Sequence, residues 1–323
     1  MENQFKWAVC GLGRISKRFV KVINKLSKNS IVIACVSSSK ERAIKYQKKY
    51  NIKYALTYKE LAESPSLVDA VYVCTNINMH HINVKMFLEK KIPILCEKTF
   101  SYDYKTAQEM IETAKNNNTL IMEAMWTKFL PATQYVTEVI KKHNLGKLIS
   151  FKGNFCAGIG HGPNSRIYKK ELCGGSILDL GVYLVHYSLM INGLPNKITT
   201  NGKVINGVDR WCNFSFIYDD NVIGHLRSSF KLLEIKEAFI INYENGYIKI
   251  PRFFDAKKVI VKTFNQKVIK KFKKVDGFIY EIEHFENLVR NKTLESPVVN
   301  YDTTLSVMEI LEELNRQLGV TFY

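Results

Sequence analysis

The sequence predicts an α/β protein in which a doubly wound parallel sheet precedes an α+β domain with a large open, mainly antiparallel sheet. Up to residue 126, short and wholly apolar runs alternate with amphipathic helical segments. This alternation is typical of parallel strands joined by right-handed crossovers. A glycine-rich turn follows the first apolar run, and after residue 126 strands follow one another through hairpin turns.

The first domain is expected to cover residues 1–124. Its strands lack polar alternation, which indicates that helices cover both faces of the sheet. The expected strands cover 5–10, 30–37, a short segment within 54–64, 68–76, 92–98 and 119–126. The expected helices begin near residue 15 and cover 40–51, a short segment within 54–64, 80–91 and 103–118.

The second domain is expected to cover residues 125–323. Its segments are a helix over 131–144, a strand over 147–158, an apolar helix over 174–191, strands over 198–205, 210–230 and 236–251, a lysine-rich hairpin over 257–275, and a C-terminal helix over about 302–318. In the hairpin, lysines alternate with Val, Ile and Phe, which predicts one wet face.

The net charge of +17, from 47 Lys+Arg and 30 Asp+Glu, leaves three interpretations open. Solvated lysine faces are the simplest, an anionic substrate or a phosphate-bearing cofactor comes next, and nucleic acid comes last. No interleaved Arg/aromatic platform and no recognition-helix motif supports a nucleic-acid partner.

The sequence favours a cytoplasmic protein without a membrane partner. Its N-terminus lacks the basic segment and apolar core of a secretory signal, and no uninterrupted apolar run is long enough to span a bilayer. The seven cysteines show no CxxC pair and no zinc spacing, so no metal is expected. Cys10, Cys35, Cys74 and Cys96 lie in strand-like runs, where a free thiol behaves as a small hydrophobe.

The segment GLGRIS, residues 11–16, lies between the first strand and the first helix. Gly11 permits a tight turn, and Gly13 lets the backbone approach a pyrophosphate at the helix N-terminus. Ser16 stands where a third Gly or Ala is usual. This context predicts a dinucleotide-binding Rossmann domain.

The end of the second strand favours NADP(H), with NAD(H) possible. NAD-preferring sites place an acid there for the ribose 2′-hydroxyl. Here Ser37 and Ser38 precede Lys40 and Arg42, and this set suits a 2′-phosphate. The alternative is that the serines only cap the next helix.

The apolar run of residues 92–96 ends at Glu97-Lys98. The carboxyl ends of parallel strands form the ligand-binding edge of such sheets. One of the two side chains can therefore face the interior and the other the cofactor, and a lysine there can hold a substrate oxygen or depress the pKa of a neighbouring acid. The alternative is an ordinary surface Glu-Lys pair.

Asp179, Tyr183 and His186 are spaced i, i+4 and i+7 in an otherwise apolar helix. This spacing places them on one face. Three polar groups on such a face indicate either a cleft or buried partners that satisfy them.

These motifs together resemble the glucose-fructose oxidoreductase/inositol dehydrogenase (Gfo/Idh/MocA) family over essentially the whole chain. Within the family, MEAMWTKFLP and LDLGVY look most like the dimeric dihydrodiol dehydrogenases and the NADP-dependent D-xylose dehydrogenases. The segments that carry the resemblance are AVCGLGRIS, VDAVYVCTNINMHH, ILCEKTF, LIMEAMWTKFLP and GGSILDLGVYLVH.

The resemblance implies a cofactor site. His80 has either a cofactor role or a capping and packing role. Thr99 replaces the proline of the family's Glu-Lys-Pro motif, so a trans peptide bond is expected before it. Ile77 replaces the family's asparagine. The implied cofactor residues are Gly11, Gly13, Arg14, Ile15, Ser37, Ser38, Arg42, Thr75, Asn76, His80, Glu97 and Lys98.

The resemblance also implies an NADP(H)-dependent oxidoreductase acting on a secondary alcohol or ketone of a sugar, cyclitol or dihydrodiol. Tyr183 would be the acid/base, Lys98 would stabilise its phenolate, and Asp179 would bind a substrate hydroxyl or orient Lys98. A homodimer or a dimer of dimers through the second sheet is expected. The alternative is a nucleotide-binding regulatory protein without activity. Candidate substrate residues are Trp126, Phe155, His161, Arg166 and Tyr168.

Overall fold

The computed structural model describes residues 4–142, 145–157, 162, 164–231 and 237–322. The chain divides into two compact units, which are described separately. Met1–Trp126 and Asp276–Leu305 form the first unit, and Thr127–Val275 and Ser306–Tyr323 form the second. The sequence predicts a second domain over all of residues 125–323, whereas the structure places Asp276–Leu305 in the first unit.

The first unit contains the expected parallel sheet. Its six strands have the order β3-β2-β1-β4-β5-β6, and every pair is parallel. Most of their side chains are buried because helices cover the sheet. The strands are β1 (Phe5–Cys10), β2 (Ser30–Val36), β3 (Tyr54–Leu56), β4 (Ala70–Val73), β5 (Ile94–Glu97) and β6 (Ile121–Ala124).

The helices between these strands begin at sequence signals that can be read locally. Asp103 accepts a hydrogen bond from the Thr106 amide and so caps one helix, and Thr57 and Glu60 form a capping box at another. The helices are α1 (Arg14–Leu26), α2 (Lys40–Tyr50), α3 (Tyr58–Ala62), α4 (His80–Leu88) and α5 (Tyr104–Asn116).

A further helix of the first unit, α8 (Phe278–Arg290), lies in a segment for which the sequence predicted no element. The Trp7 indole on β1 donates to Glu286 at 2.8 Å, and the Ser30 hydroxyl donates to the same carboxylate oxygen at 2.6 Å. Before α8, Asp276 accepts three hydrogen bonds from the Arg18 guanidinium, at 2.8, 2.9 and 3.1 Å. These contacts join residues more than 250 positions apart, so local patterns do not reveal them.

The second unit contains an eight-stranded sheet of order β14-β13-β12-β11-β7-β10-β9-β8. Only the β7–β10 pair is parallel, so the sheet is mainly antiparallel as expected. The strands are β7 (Leu148–Cys156), β8 (Lys197–Ile205), β9 (Val208–Ile217), β10 (Ile223–Ser229), β11 (Ala238–Tyr243), β12 (Gly246–Pro251), β13 (Lys258–Thr263) and β14 (Lys267–Lys271). The helices α6 (Pro131–Lys141) and α7 (Val182–Asn192) belong to the same unit, and α9 (Tyr301–Gln317) begins in the first unit and ends in the second.

The lysine-rich segment is a hairpin of β13 and β14, as expected. The expectation of one wet face is wrong for β14, because all five of its residues are exposed. β14 is the edge strand of the sheet, so a neighbouring strand lies on one side of it only. Lysines are typical of such edges, because they oppose pairing with another chain.

Among the described residues, one helical stretch, Lys170–Asn192, is both long and apolar. By length and composition it could cross a membrane, but 89% of its most apolar window is buried. It is therefore a core helix of the second unit, and it carries Asp179 and Tyr183.

Candidate functional site

A groove of about 640 Å³ in the first unit opens at the carboxyl ends of β1, β2 and β4. Doubly wound sheets bind their ligands at this edge. The groove brings together seven of the expected cofactor residues: Gly11, Gly13, Ser37, Ser38, Arg42, Thr75 and Asn76. Arg14 and Ile15 begin α1. The described residues that line the groove do not include these two, nor do they include His80, Glu97 or Lys98.

The glycine turn has the geometry that a pyrophosphate needs. Gly11 has φ +100°, and a Cβ there would lie 2.6 Å from the backbone of Cys74 and Thr75. A Cβ at Gly13 would meet nothing within 4 Å, so the space over the N-terminus of α1 is open. Ser16 fits the third position because its hydroxyl donates to the Gly13 carbonyl and accepts from Tyr46, at 2.8 and 3.1 Å.

The cations of the groove differ in part from those expected. Lys40 is bound to both carboxylate oxygens of Glu60, at 2.7 and 2.8 Å, and does not line the groove. Arg42 does line it, together with Lys45 and Lys49 on the same face of α2 and Lys17 on α1. The i, i+3, i+7 spacing on α2 was a signal in the sequence that could have found them.

No aspartate or glutamate is among the described residues that line this groove. A dinucleotide with an additional phosphate therefore fits the residues present.

The three serines after β2 have separate roles. Ser39 caps α2 by accepting from the Arg42 amide at 3.3 Å, and the Ser37 hydroxyl accepts from the Ser39 amide at 3.3 Å. The Ser38 hydroxyl accepts from the Arg42 guanidinium at 2.8 Å. Capping thus accounts for Ser39, while Ser38 holds Arg42 at the rim of the groove.

His80 connects two loops at this edge of the sheet. It is buried, with Nδ1 lying 3.1 Å from the Thr99 carbonyl oxygen and Nε2 lying 3.2 Å from that of Thr75. These contacts match the packing role that the sequence left open for His80. The Lys98–Thr99 peptide bond is cis, so the expectation of a trans bond is wrong. Thr99 is completely buried, and its packing against His80 is not visible in the sequence.

Glu97 faces the interior, which is one of the two directions expected for the Glu97-Lys98 pair. Its carboxylate accepts a short hydrogen bond from the Tyr72 hydroxyl and another from the Lys98 amide at 3.1 Å. Burial raises the pKa of Glu97. Burial and the nearby Glu97 also hold the pKa of Glu281, on α8, well above its usual range. Neither Tyr72 nor Glu281 had a signal in the sequence.

The helical segment that carries Asp179, Tyr183 and His186 is not a regular α-helix throughout. Residues Ile177–Gly181 form a π-helical turn before α7, so Asp179 precedes the regular α-helix that carries Tyr183 and His186. Such turns are frequent at functional sites. Asp179 and Tyr183 are each 8% exposed, and His186 is completely buried.

Asp209, at the start of β9, fixes the beginning of this helix. Its Oδ2 accepts from the Ser176 hydroxyl at 2.5 Å and from the Ile177 amide at 3.0 Å. Gly175 has φ +118°, and a Cβ there would collide with Asp209 Oδ1. Burial raises the pKa of Asp209 from 3.8 to about 6. Asp209 had no signal in the sequence, because only strand pairing brings it to the helix.

This raised pKa implies a specific pH dependence of stability. Between about pH 4 and pH 6 the folded chain binds more protons than the unfolded chain, so the contribution of Asp209 is lost as the pH rises through this window. The difference corresponds to about 3 kcal/mol. As the pH rises through this window, we expect the wild type to lose about 3 kcal/mol of unfolding free energy relative to Asp209→Asn. Urea titrations of both proteins at several pH values measure this difference.

The matched control is Asp219→Asn, because Asp219 is exposed in the turn after β9. It should leave the pH dependence unchanged. Parallel pH curves for the wild type and Asp209→Asn would contradict the assignment.

The candidate substrate residues lie in different surroundings. Trp126 is 5% exposed and packs against Phe278 under the Arg18 guanidinium, which leaves little surface for a substrate. Phe155 lies 5.4 Å from the Tyr183 ring centroid. The Tyr168 ring contacts Phe230, and the Arg210 guanidinium lies over it at 4.0 Å. Arg166 donates to Asp179 at 2.9 Å, and His161 lies outside the described residues.

Comparison with known proteins gives relatives for both units. The family described as "Oxidoreductase family, NAD-binding Rossmann fold" matches residues 5–125, and "GFO/IDH/MocA C-terminal domain" matches residues 133–249. The trans-1,2-dihydrobenzene-1,2-diol dehydrogenase of Xenopus tropicalis is 30% identical over 330 residues, which cover 98% of this chain and 99% of that protein.

Solved structures share the fold over the same length. An aldose-aldose oxidoreductase from Caulobacter crescentus superposes with a TM-score of 0.87 at 17% identity and 98% coverage of both chains. KijD10, a 3-ketoreductase from Actinomadura kijaniata in complex with NADP and TDP-benzene, gives a TM-score of 0.84 at 20% identity and 98% coverage of both chains. Because the sequence matches cover both units, this chain belongs to the Gfo/Idh/MocA family of oxidoreductases.

Proposed function

We propose that the chain is an NADP(H)-dependent oxidoreductase that moves a hydride between nicotinamide and a secondary alcohol or ketone carbon of a sugar, cyclitol or dihydrodiol. The observation that carries the cofactor assignment is the groove beside the glycine turn, which is lined by Lys17, Arg42, Lys45 and Lys49. A 2′-phosphate suits such a set, and an acid for a free ribose 2′-hydroxyl is not among its described residues.

The proposed substrates agree with the relatives, which are named for dihydrodiols and aldoses, and KijD10 has NADP bound. When bound, the nicotinamide supplies the hydride chemistry. In this proposal Tyr183 exchanges the proton of the substrate oxygen as general acid/base. Lys98, as a cation, lowers the pKa of an acid/base such as a phenol, and Asp179 accepts from a substrate hydroxyl.

The cofactor assignment is tested by removing single cations. Arg42→Ala and Lys45→Ala should each raise the Kd for NADPH about tenfold or more, because a charge-assisted hydrogen bond contributes about 1.5–3 kcal/mol. The Kd for NADH, which lacks the 2′-phosphate, should stay the same. Fluorescence titration with both nucleotides measures these constants.

Lys40→Ala is the matched control, because this neighbouring lysine is bound to Glu60 and does not line the groove. It should leave both constants unchanged. Equal losses for NADPH and NADH in Arg42→Ala would contradict recognition of the 2′-phosphate.

Turnover separates an enzyme from a regulatory protein of the same fold. Thr99 and Ile77, which depart from the family motifs, favour the regulatory alternative. Reduction of NADP⁺ across a panel of aldoses, cyclitols and dihydrodiols, with Lys98→Ala as the control, tests the proposal. Tight NADPH binding without turnover on any member would favour the alternative.

We also propose a homodimer or a dimer of dimers through the open face of the second sheet. A cavity of about 620 Å³ on this sheet is lined by Ile240 and by polar side chains that include Asn154 and His225, whereas its lining residues Phe214 and Leu226 are already buried. An interface at this face would therefore be largely polar, with apolar contact at Ile240. Sedimentation velocity distinguishes such an assembly from a monomer.

A further inference from the structure

The turn Arg166–Tyr168 is fastened to the start of the helical segment that carries Asp179. The Gly175 amide donates to the Ile167 carbonyl at 2.9 Å, and the Gly174 amide donates to the Lys169 carbonyl at 3.0 Å. A Cβ at Gly174 would lie 2.5 Å from the Ile167 oxygen and 2.8 Å from the Arg166 oxygen. The missing side chain therefore allows the turn to lie directly on the helix start.

This attachment places the Arg166 side chain on Asp179. Nη2 of Arg166 donates to Oδ1 of Asp179 at 2.9 Å, and the two side chains are 41% and 11% exposed. A nearly buried carboxylate is thus covered on its outer side by a cation whose backbone is held in place. Ion pairs between flexible surface side chains contribute little, but here the backbone attachment fixes one partner.

We infer that Arg166 is a positioning residue that orients the Asp179 carboxylate. The inference rests on the proposed function, in which Asp179 accepts from a substrate hydroxyl. With Oδ1 held by Arg166, Oδ2 is kept in a fixed direction. The Asp179 carboxylate is then ordered before the substrate binds, so its loss of conformational entropy does not oppose substrate binding. This is the usual advantage of preorganised polar groups.

A double-mutant cycle tests this inference on the full-length protein. Arg166→Gln is expected to lower kcat/KM by about 10-fold or more, while Tm and the Kd for NADPH stay near wild type. The double variant Arg166→Gln/Asp179→Asn should be no less active than Asp179→Asn alone, because Arg166 acts through Asp179. Added guanidinium ion should partly restore Arg166→Ala. Lys170→Gln is the control, because Lys170 is an exposed cation at the start of the next turn, Lys170–Leu172.

If the loss of kcat/KM in the double variant equalled the product of the two single losses, the inference would be overturned, and the oxidoreductase function would stand. Wild-type turnover in Asp179→Asn would overturn both the inference and the role of Asp179. A readout without turnover is the ¹³C carboxyl resonance of Asp179, assigned with Asp179→Asn. It should shift in Arg166→Gln and stay unchanged in Lys170→Gln, and an unchanged resonance in Arg166→Gln would sink the inference.

Discussion

Replacing Tyr183 with phenylalanine is expected to lower kcat by about 10²-fold or more, because general acid/base catalysis contributes about 10²–10⁴-fold. Tyr183 is the second residue of α7, is 8% exposed and packs edge-to-face on Phe155, with the ring centroids 5.4 Å apart. Phenylalanine keeps this ring contact, so the fold should be retained. Steady-state kinetics with NADP⁺ and an active substrate measures the effect.

Tyr187→Phe is the matched control, four residues further along α7. Its hydroxyl is within 2.6 Å of the Thr133 hydroxyl and donates to the Phe253 carbonyl at 3.2 Å, in the core of the second unit. Removing it should lower the free energy of unfolding by about 1–3 kcal/mol and leave kcat nearly unchanged. A kcat that is unchanged in Tyr183→Phe would remove that residue from the chemistry.

Gly11→Ala is expected to impair both folding and cofactor binding. At φ +100° a Cβ at this position would lie 2.6 Å from the Cys74 carbonyl group and the Thr75 amide nitrogen. Backbone must therefore move, because no flexible side chain can yield there. We expect the free energy of unfolding to fall by about 1–3 kcal/mol and the Kd for NADPH to rise by at least about tenfold. Urea titration and fluorescence titration measure the two effects.

Gly13→Ala separates these effects. A Cβ at Gly13 meets nothing within 4 Å in the protein, and its φ of −85° suits any residue. The variant should therefore keep its stability but lose NADPH affinity, since the added methyl group occupies the space that a pyrophosphate needs. Unaltered affinity in Gly13→Ala would place the pyrophosphate elsewhere.

The sequence by itself determined the order and type of the strands and helices from β1 to β6. The strands of this parallel sheet are mainly apolar runs, and α2, α3 and α5 begin at residues whose side chains cap them, so the signals are local. The glycine turn and Ser38 could be placed for the same reason, because they closely follow β1 and β2, and Arg42 lies in the first turn of the helix that comes next.

Only the tertiary structure decided which charged side chains are free to bind and which are already bound. Lys40 and Lys45 look equivalent in the sequence, yet Glu60 from another element binds Lys40 while Lys45 lines the groove. Likewise, Arg166 meets Asp179 only because Gly174 lets a separate turn approach the helix.

Long-range pairing also decided the boundary of the first unit and the shape of the helical segment that carries Asp179 and Tyr183. Helix α8 joins the first unit through partners of Glu286 and Asp276 near the N-terminus. Asp209 reaches the start of the helix only through the packing of β9. Such contacts depend on burial and strand order rather than on neighbours in the sequence, so no local pattern contains them.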